Sequence, residues 1–410
     1  MKAETFQTKT IEEVIDTLID YRGKTPKKTS SGVRLITAKV IKDGRVVDTK
    51  HEYIAEDYYD VWMRRGLPQR GDILITTEAP LGEIAQLRTH ERVALAQRVI
   101  LLRGRRDVID QSYFYQALKS PFVKSELAAR ATGTTVAGIK QSELRKVRIP
   151  YYPISTQKQI ALVLCSYDDL IENNTRRIKI LEEMAQALYR EWFVRFRFPG
   201  HEAIKFVDSA LGKTPEAWEV MKVTDAVFVG PSTPIPKDTE NPHVPMDSLA
   251  TNSMLIGEVN MRTGSNGSKF RNGDTLFARI TPCLENGKTA FVQFLPSDSD
   301  VAIGSTEFIV LRSRTLCPEY VYLMARSNEF RDNAIKSMSG ATGRQRVQEE
   351  CFDKFLIAQP DEDTLRKFAE RTGQMFRLIH NLAQKNTNLR RTRDLLLPKL
   401  VAGEIRFGSH

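Results

Sequence analysis

The sequence predicts an α+β protein built twice over: two pseudo-repeated globular parts joined by two long antiparallel heptad helices. Three observations carry this. The stretch Ser166 to Val194, SYDDLIENNTRRIKILEEMAQALYREWFV, holds no Gly and no Pro and reads as one helix. The positions Ile160, Leu164, Tyr167, Ile171, Asn174, Ile178, Leu181, Ala185, Leu188 and Trp192 step by four and three without a break. That is an a/d heptad seam with one polar exception at Asn174. The same register returns 208 residues later, at Phe368, Thr372, Met375, Ile379, Leu382, Asn386, Leu389, Arg393, Leu396 and Leu400, where seven of the ten are apolar.

From Ile160 to Trp192 the seam spans roughly 50 Å at about 1.5 Å per residue. An isolated amphipathic helix gains most of its stability from packing, so two like seams in one chain most simply bury each other. Pro398 is expected to end the second helix. Asn174 reads either as a residue that sets register at some cost in stability or as a tolerated polar residue at the wet end of a seam.

The duplication has further landmarks. Thr25-Pro26 matches Thr233-Pro234, again 208 apart; Gly71-Asp72 pairs with Gly273-Asp274 and Ala131-Thr132-Gly133 with Ala341-Thr342-Gly343, in the same order. In the first half, GVRLITAKVI, GDILITT, GEIAQL and RVALAQRVILLR read as short strands separated by turn signals. A helix follows at SYFYQALKSPFVKSELAARA, then a Gly/Thr loop, a short helix and a strand ending at Pro150. The second half copies that order. DTLFARI and KTAFVQFL are strands, PEYVYLMARSNEFRDNAIK a helix, and SGATGRQRVQEECFDKFLIAQP the loop, helix and strand. The expected divisions are 1–155 and 201–362 for the globular parts, 156–200 for the central helix and 363–410 for the distal helix and tail. Each sheet should be mostly antiparallel.

Composition narrows the function. No apolar run approaches the length of a membrane span, and MKAETFQTKTIEEV lacks the apolar core of a secretory signal. The four cysteines are scattered with no C-x-x-C pair, as expected of reduced thiols in a cytoplasmic protein without a metal site. The net charge is +10, and Arg366 to Lys399 holds nine Lys/Arg against two acids. Such a basic balance suggests nucleic acid; a solvated basic face and a docking face for an acidic partner are the alternatives. The six histidines show no metal-ligand spacing, and phosphate-loop and nucleophile-elbow motifs are absent, so no catalytic residue is expected.

The run IPYYPISTQKQIALVLCSYDDLIENNTRRIKILEEMAQALYREWFV resembles the central region of type I restriction–modification specificity subunits. The features that carry the likeness are Ile149-Pro150 followed by Pro153, Gln157 and Ile160, then Asp168-Asp169, Asn173-Asn174 and Ala185-Gln186-Ala187-Leu188 ahead of Trp192-Phe193. The ending Leu395-Leu396-Leu397-Pro398-Lys399-Leu400, with Gly403-Glu404-Ile405, is similar too, and FRNGDTLFARITPCLENGKTAFV resembles one common type of target-recognition domain. The resemblance implies a non-catalytic subunit whose two target-recognition domains each read one half of a split, asymmetric double-stranded DNA target. It implies two modification subunits, which dock on the helices, bind S-adenosylmethionine and methylate adenine. It also implies restriction (motor-nuclease) subunits that use ATP and magnesium, and no cofactor on this chain. The helices then act as ruler and docking surface, and the internal pseudo-dyad sets them antiparallel.

Base reading and phosphate contact need Arg, Lys, Asn or Gln on loops. The candidates are Arg22, Lys24, Lys27, Lys28 and Arg34 in YRGKTPKKTSSGVRL, with an ordinary solvated loop as the alternative. Arg279, Asn286 and Lys288 around ITPCLENGKTA follow, against a plain hairpin; the matching first-half loop TEAPLGEIAQ is acidic at Glu78 and Glu83. Lys140 in ATGTTVAGIK and Arg344, Gln345 and Arg346 in SGATGRQRVQ come next, against a turn that merely caps a helix. Tyr189, Trp192 and Phe193 form an aromatic cluster that reads as a subunit interface or as core. The competing functions are a coiled-coil scaffold that does not read DNA, whose DNA binding would be insensitive to salt, and a standalone DNA-acting enzyme, which needs an acidic cluster not seen in the sequence.

Overall fold

Thr8–Thr10 pairs antiparallel with Arg148–Pro150, so the first globular part is closed by its own entrance and exit strands. The second repeats the device with Glu219–Lys222 against Leu356–Gln359. These come from a computed structural model that describes residues 7–405 apart from 22, 48–50, 134–135 and 236–237. The chain divides into two compact units, residues 1–171 with 388–410 and residues 172–387, so each unit takes in part of both long helices.

In the first unit a four-stranded antiparallel sheet runs in the order Ile15–Asp20, Val99–Gly104, Ile73–Thr77, Leu81–Gln86. Alternation along its strands feeds two cores. Ile73, Ile75, Ile100 and Leu102 face the helices, and Leu74, Val99 and Leu101 face a second sheet. That second sheet is Tyr53–Ile54, Val33–Ile36 and Val93–Leu95, with the last pair parallel. The second unit has the same four-strand order: Val227–Val229, Phe308–Ser313, Thr275–Ala278, Thr289–Phe291. Its companion sheet also contains one parallel pair, His243–Val244 on Ile303–Gly304. The mostly antiparallel α+β repeat expected from the sequence is what folds.

The Gly-Asp landmarks have a structural reason. Gly71 and Gly273 both hold positive φ, at 95° and 86°, in the turn entering the sheet. The aspartates after them are buried. Asp72 Oδ2 accepts from Gln69 N at 2.7 Å and Asp274 Oδ2 from Arg271 N at 2.9 Å. Each then accepts a two-pronged arginine, Arg103 at 2.7 Å on both oxygens and Arg312 at 2.8 and 2.7 Å.

The helix expected over 112–131 is two, Gln111–Lys119 and Pro121–Arg130, and the one over 318–336 is Pro318–Ala325 and Asn328–Lys336. Ser120, next to Pro121, caps the second helix through Val123 N, and Ser327 caps its counterpart through Phe330 N.

The central helix spans Ile154–Tyr189 and ends in one wider turn through Val194, where Arg195 N bonds Arg190 O. The distal helix spans Glu362–Val401. Pro398 does not end it. Proline removes one helical donor, whereas Leu397, Leu400 and Val401 are buried in the first unit's core and hold the last turn in place. No seam position of either helix is exposed. Pairing is antiparallel within each unit. In the first, the Tyr152 hydroxyl donates to Val401 O while Asp168 meets Arg393; in the second, Asn174 meets Asn386 while Trp192 packs on Phe368.

Candidate nucleic-acid interface

Three segments far apart in the first unit's sequence meet at one open cleft of about 360 Å³. Gly23 and Thr25 come from the basic loop, Glu78 from TEAPLGE, and Thr132, Val136, Gly138, Ile139 and Lys140 from ATGTTVAGIK, and Gln97 completes the lining. Backbone bonds assemble it. Thr132 and Gly138 exchange N–H···O bonds at 2.8 and 2.9 Å, making a tight hairpin, and Ile139 N reaches Thr77 O at 3.0 Å. The side chains of Lys24, Lys27 and Lys140 are exposed, and none has an ion partner among the described residues. Lys28 is also exposed but lies 2.6 Å from Glu52. Arg34 is half-buried in a strand and donates to Val47 O at 3.0 Å. Arg22 lies outside the described residues.

The second unit joins its two candidate loops the same way. Ser339 and Arg346 exchange backbone bonds at 3.0 and 2.9 Å, and Val347 N reaches Arg279 O at 2.9 Å. Gly287, at φ 81°, makes the turn of ITPCLENGKTA, and Asn286 beside it is exposed. Most cations here are already paired. Arg279 lies 3.0 Å from Glu349, Lys288 is 3.2 Å from Asp247, and Arg346 grips Glu307 at 2.6 to 3.1 Å. The hydrogen bond from Arg346 is the main reason that the Glu307 carboxyl is held below its usual value. Arg344 is exposed, and Gln345 is half-buried with its backbone bonded to Thr281.

The aromatic cluster is core, and this corrects the interface reading. Tyr189, Trp192 and Phe193 are 4–7% exposed, and Phe193 packs at 4.6 Å on Tyr320 and 4.7 Å on Phe368. A surface that is already covered offers a partner nothing.

Sequence reasoning missed the polar lock on the first unit's helices. Asp168 accepts from Lys119 Nζ at 3.0 Å, Gln116 Nε2 at 2.8 Å and Arg393 Nη1 at 2.6 Å. Burial opposes its charge, but Lys119, Gln116 and Arg393 outweigh burial and hold the carboxyl below its usual value. The motif residue Gln157, fully buried, accepts from Asp110 N at 2.8 Å and donates to Tyr152 O at 2.7 Å, tying the helix start to the globular part.

Each of the two units thus gathers cations and amides on loops that backbone bonds hold together. Residues 3–183 match the model of the type I restriction modification DNA specificity domain. The chain is 27% identical, over 82% of its length, to the type I restriction enzyme MjaIX specificity subunit of Methanocaldococcus jannaschii, of which it covers 78%. It is 20% identical over 86% of its length to the MjaVIII specificity subunit of the same organism, covering 83% of that chain. The solved S subunit of the type I restriction–modification system from M. genitalium shares the fold, with a TM-score of 0.55 at 13% identity over 97% of this chain and 96% of that one. The chain thus carries the likeness of a type I restriction modification DNA specificity domain over residues 3–183, and over most of its length it is similar to type I restriction enzyme specificity subunits. No helix among the described residues is long and apolar enough to cross a membrane.

Proposed function

We propose that each unit reads one half of a split, asymmetric double-stranded DNA target, and that partner subunits then methylate adenine in it or restrict DNA that lacks the mark. The observation that carries this is the meeting of chain-distant loops at one cleft lined by Lys140, with exposed Lys24 and Lys27 on the same basic loop as its lining residues Gly23 and Thr25. Free cations on these loops suit phosphate, and amide and carboxylate groups in the cleft suit base edges. Two modification subunits supply S-adenosylmethionine and the methylating chemistry; restriction subunits supply ATP- and magnesium-dependent translocation and cleavage. The complex works in the cytoplasm, and this chain contributes address and spacing.

The test is co-expression with the cognate modification subunit, followed by methylation mapping of the host DNA. One split motif with methylated adenines in both halves is expected. A stable complex supplied with S-adenosylmethionine that leaves no methylated motif overturns the reading and favours a scaffold.

A further inference from the structure

We propose that Glu78 and Gln97 are specificity residues that read, in the first unit's half-site, a base carrying an exocyclic amine. The proposal rests on the DNA-reading function above and narrows what one cleft reads.

A carboxylate is out of place on a phosphate-facing surface, yet Glu78 lines the same cleft as Lys140 and the basic-loop residues Gly23 and Thr25. It is positioned there. Arg98 Nε holds Oε1 at 2.7 Å. The other oxygen, Oε2, makes no hydrogen bond among the described residues. Gly138 lies across from Glu78 in a backbone bridge, and a Cβ at that position would stand 3.6 Å from Oε2. The missing side chain keeps this acceptor reachable. Gln97 is fixed as well: its Oε1 accepts the Thr25 hydroxyl at 2.5 Å, which leaves its NH₂ to donate. The cleft therefore presents one acceptor and one donor. In the major groove an acceptor selects the amine of adenine N6 or cytosine N4, and a neighbouring donor suits N7 of a purine. Adenine satisfies both.

The second unit supports this by contrast. Thr77 N bonds Arg98 O at 3.0 Å, and Arg279 N bonds Glu307 O at 2.9 Å, so Arg98 and Glu307 occupy equivalent positions. Gly138 and Arg346 are equivalent by their hairpin bonds, and Ile280, bridged to Arg346, stands where Glu78 does. One scaffold thus carries a carboxylate beside an arginine in the first unit and the opposite polarity in the second. The two halves present different hydrogen-bonding groups, as an asymmetric target requires.

The experiment uses the complex of the full chain with its modification subunits. Methylation mapping compares the wild-type complex with the one carrying Glu78→Gln. The variant is isosteric and adds a donor at Oε2 or its equivalent, so discrimination should fall about ten- to a hundred-fold at a single base pair of one half-site, with the other half unchanged. In parallel, fluorescence anisotropy of the wild-type complex scans target duplexes in which purine replaces adenine, or 2-pyrimidinone replaces cytosine, one position at a time. Affinity should drop at that same base pair, and Glu78→Gln should erase the drop. An unchanged motif for Glu78→Gln overturns the proposal, as does a loss of affinity equal for all sequences. If the variant melts early, the amine scan of the wild type decides: no amine-dependent position in that half-site overturns the assignment. A wild-type complex that methylates no split motif refutes the DNA-reading function itself, which is a separate result.

Discussion

Asp168 sits 9% exposed between Lys119 and Arg393, cations that lie 49 and 225 residues away in sequence. Replacing it by Asn leaves two buried cations short of a counter-charge, which costs about 3–5 kcal/mol. Urea unfolding of Asp168→Asn against wild type at pH 7 measures this; a difference below about 1 kcal/mol would show that water reaches the cluster. The cluster also sets a pH dependence. Asp168 titrates lower in the folded chain than its ordinary value. On acidification the unfolded chain therefore takes up this proton first. The contribution is whole above about pH 4 and lost as pH falls through the lower folded-state value. Wild type should lose stability over that acid range, and the Asn variant should lose less. The sequence alone does not disclose this cluster. Asp168 stands out there only as half of an Asp-Asp motif, because partners so far along the chain leave no local pattern. Glu78 reads in the sequence as an acid in an otherwise basic setting, and its use becomes visible only with Arg98 and Gly138 beside it.

The long helices are the most legible elements, since a seam repeating every 3.5 residues over about nine turns has few other readings. The polar members of the distal seam resolve one by one. Thr372 turns its hydroxyl back to Phe368 O at 2.8 Å, Asn386 accepts from Asn174 at 2.9 Å, and Arg393 reaches Asp168. Asn174 is therefore a buried partner in a pair and no residue of a wet seam end. Asn386 also donates to Thr175 Oγ1 at 3.2 Å. A single Asn174→Ala strands a buried amide and should cost about 1–3 kcal/mol, whereas Asn174→Leu with Asn386→Leu removes both polar partners and should recover most of that loss. A double-mutant cycle by chemical denaturation checks it, and additive effects of the two single changes would show that the amides do not couple. Elsewhere local chemistry and tertiary packing decide what apolar spacing alone does not. Ser120-Pro121 splits a helix that the spacing joins, and Pro398 fails to end one because the core beyond it is worth more than a hydrogen bond.

For the whole chain, the duplication makes each globular part a closed cassette. The first is sealed by Thr8–Thr10 against Arg148–Pro150, and its two cores are built from residues of the first unit, with Ile160, Leu164, Leu397 and Leu400 supplied by the long helices. Such a part can be exchanged while the helices keep their seams. Replacing residues 1–155 with the equivalent part of a relative should change one half of the methylated motif and leave the other half and the spacing intact; a change in both halves would mean that the units do not read independently. Within the cassette, cations and base-reading groups separate by salt. Removing one phosphate-bound cation lowers the slope of log K against log salt by about 0.9. Lys24→Ala, Lys27→Ala and Lys140→Ala together should therefore flatten that slope by up to about 3 and weaken all sequences alike, because phosphate carries no sequence information. Titration of the assembled complex with target and scrambled duplexes between low and physiological salt measures both quantities. A triple variant that keeps its slope would place these three lysines away from the backbone, and one that keeps its slope yet loses only the target sequence would make them base-reading groups.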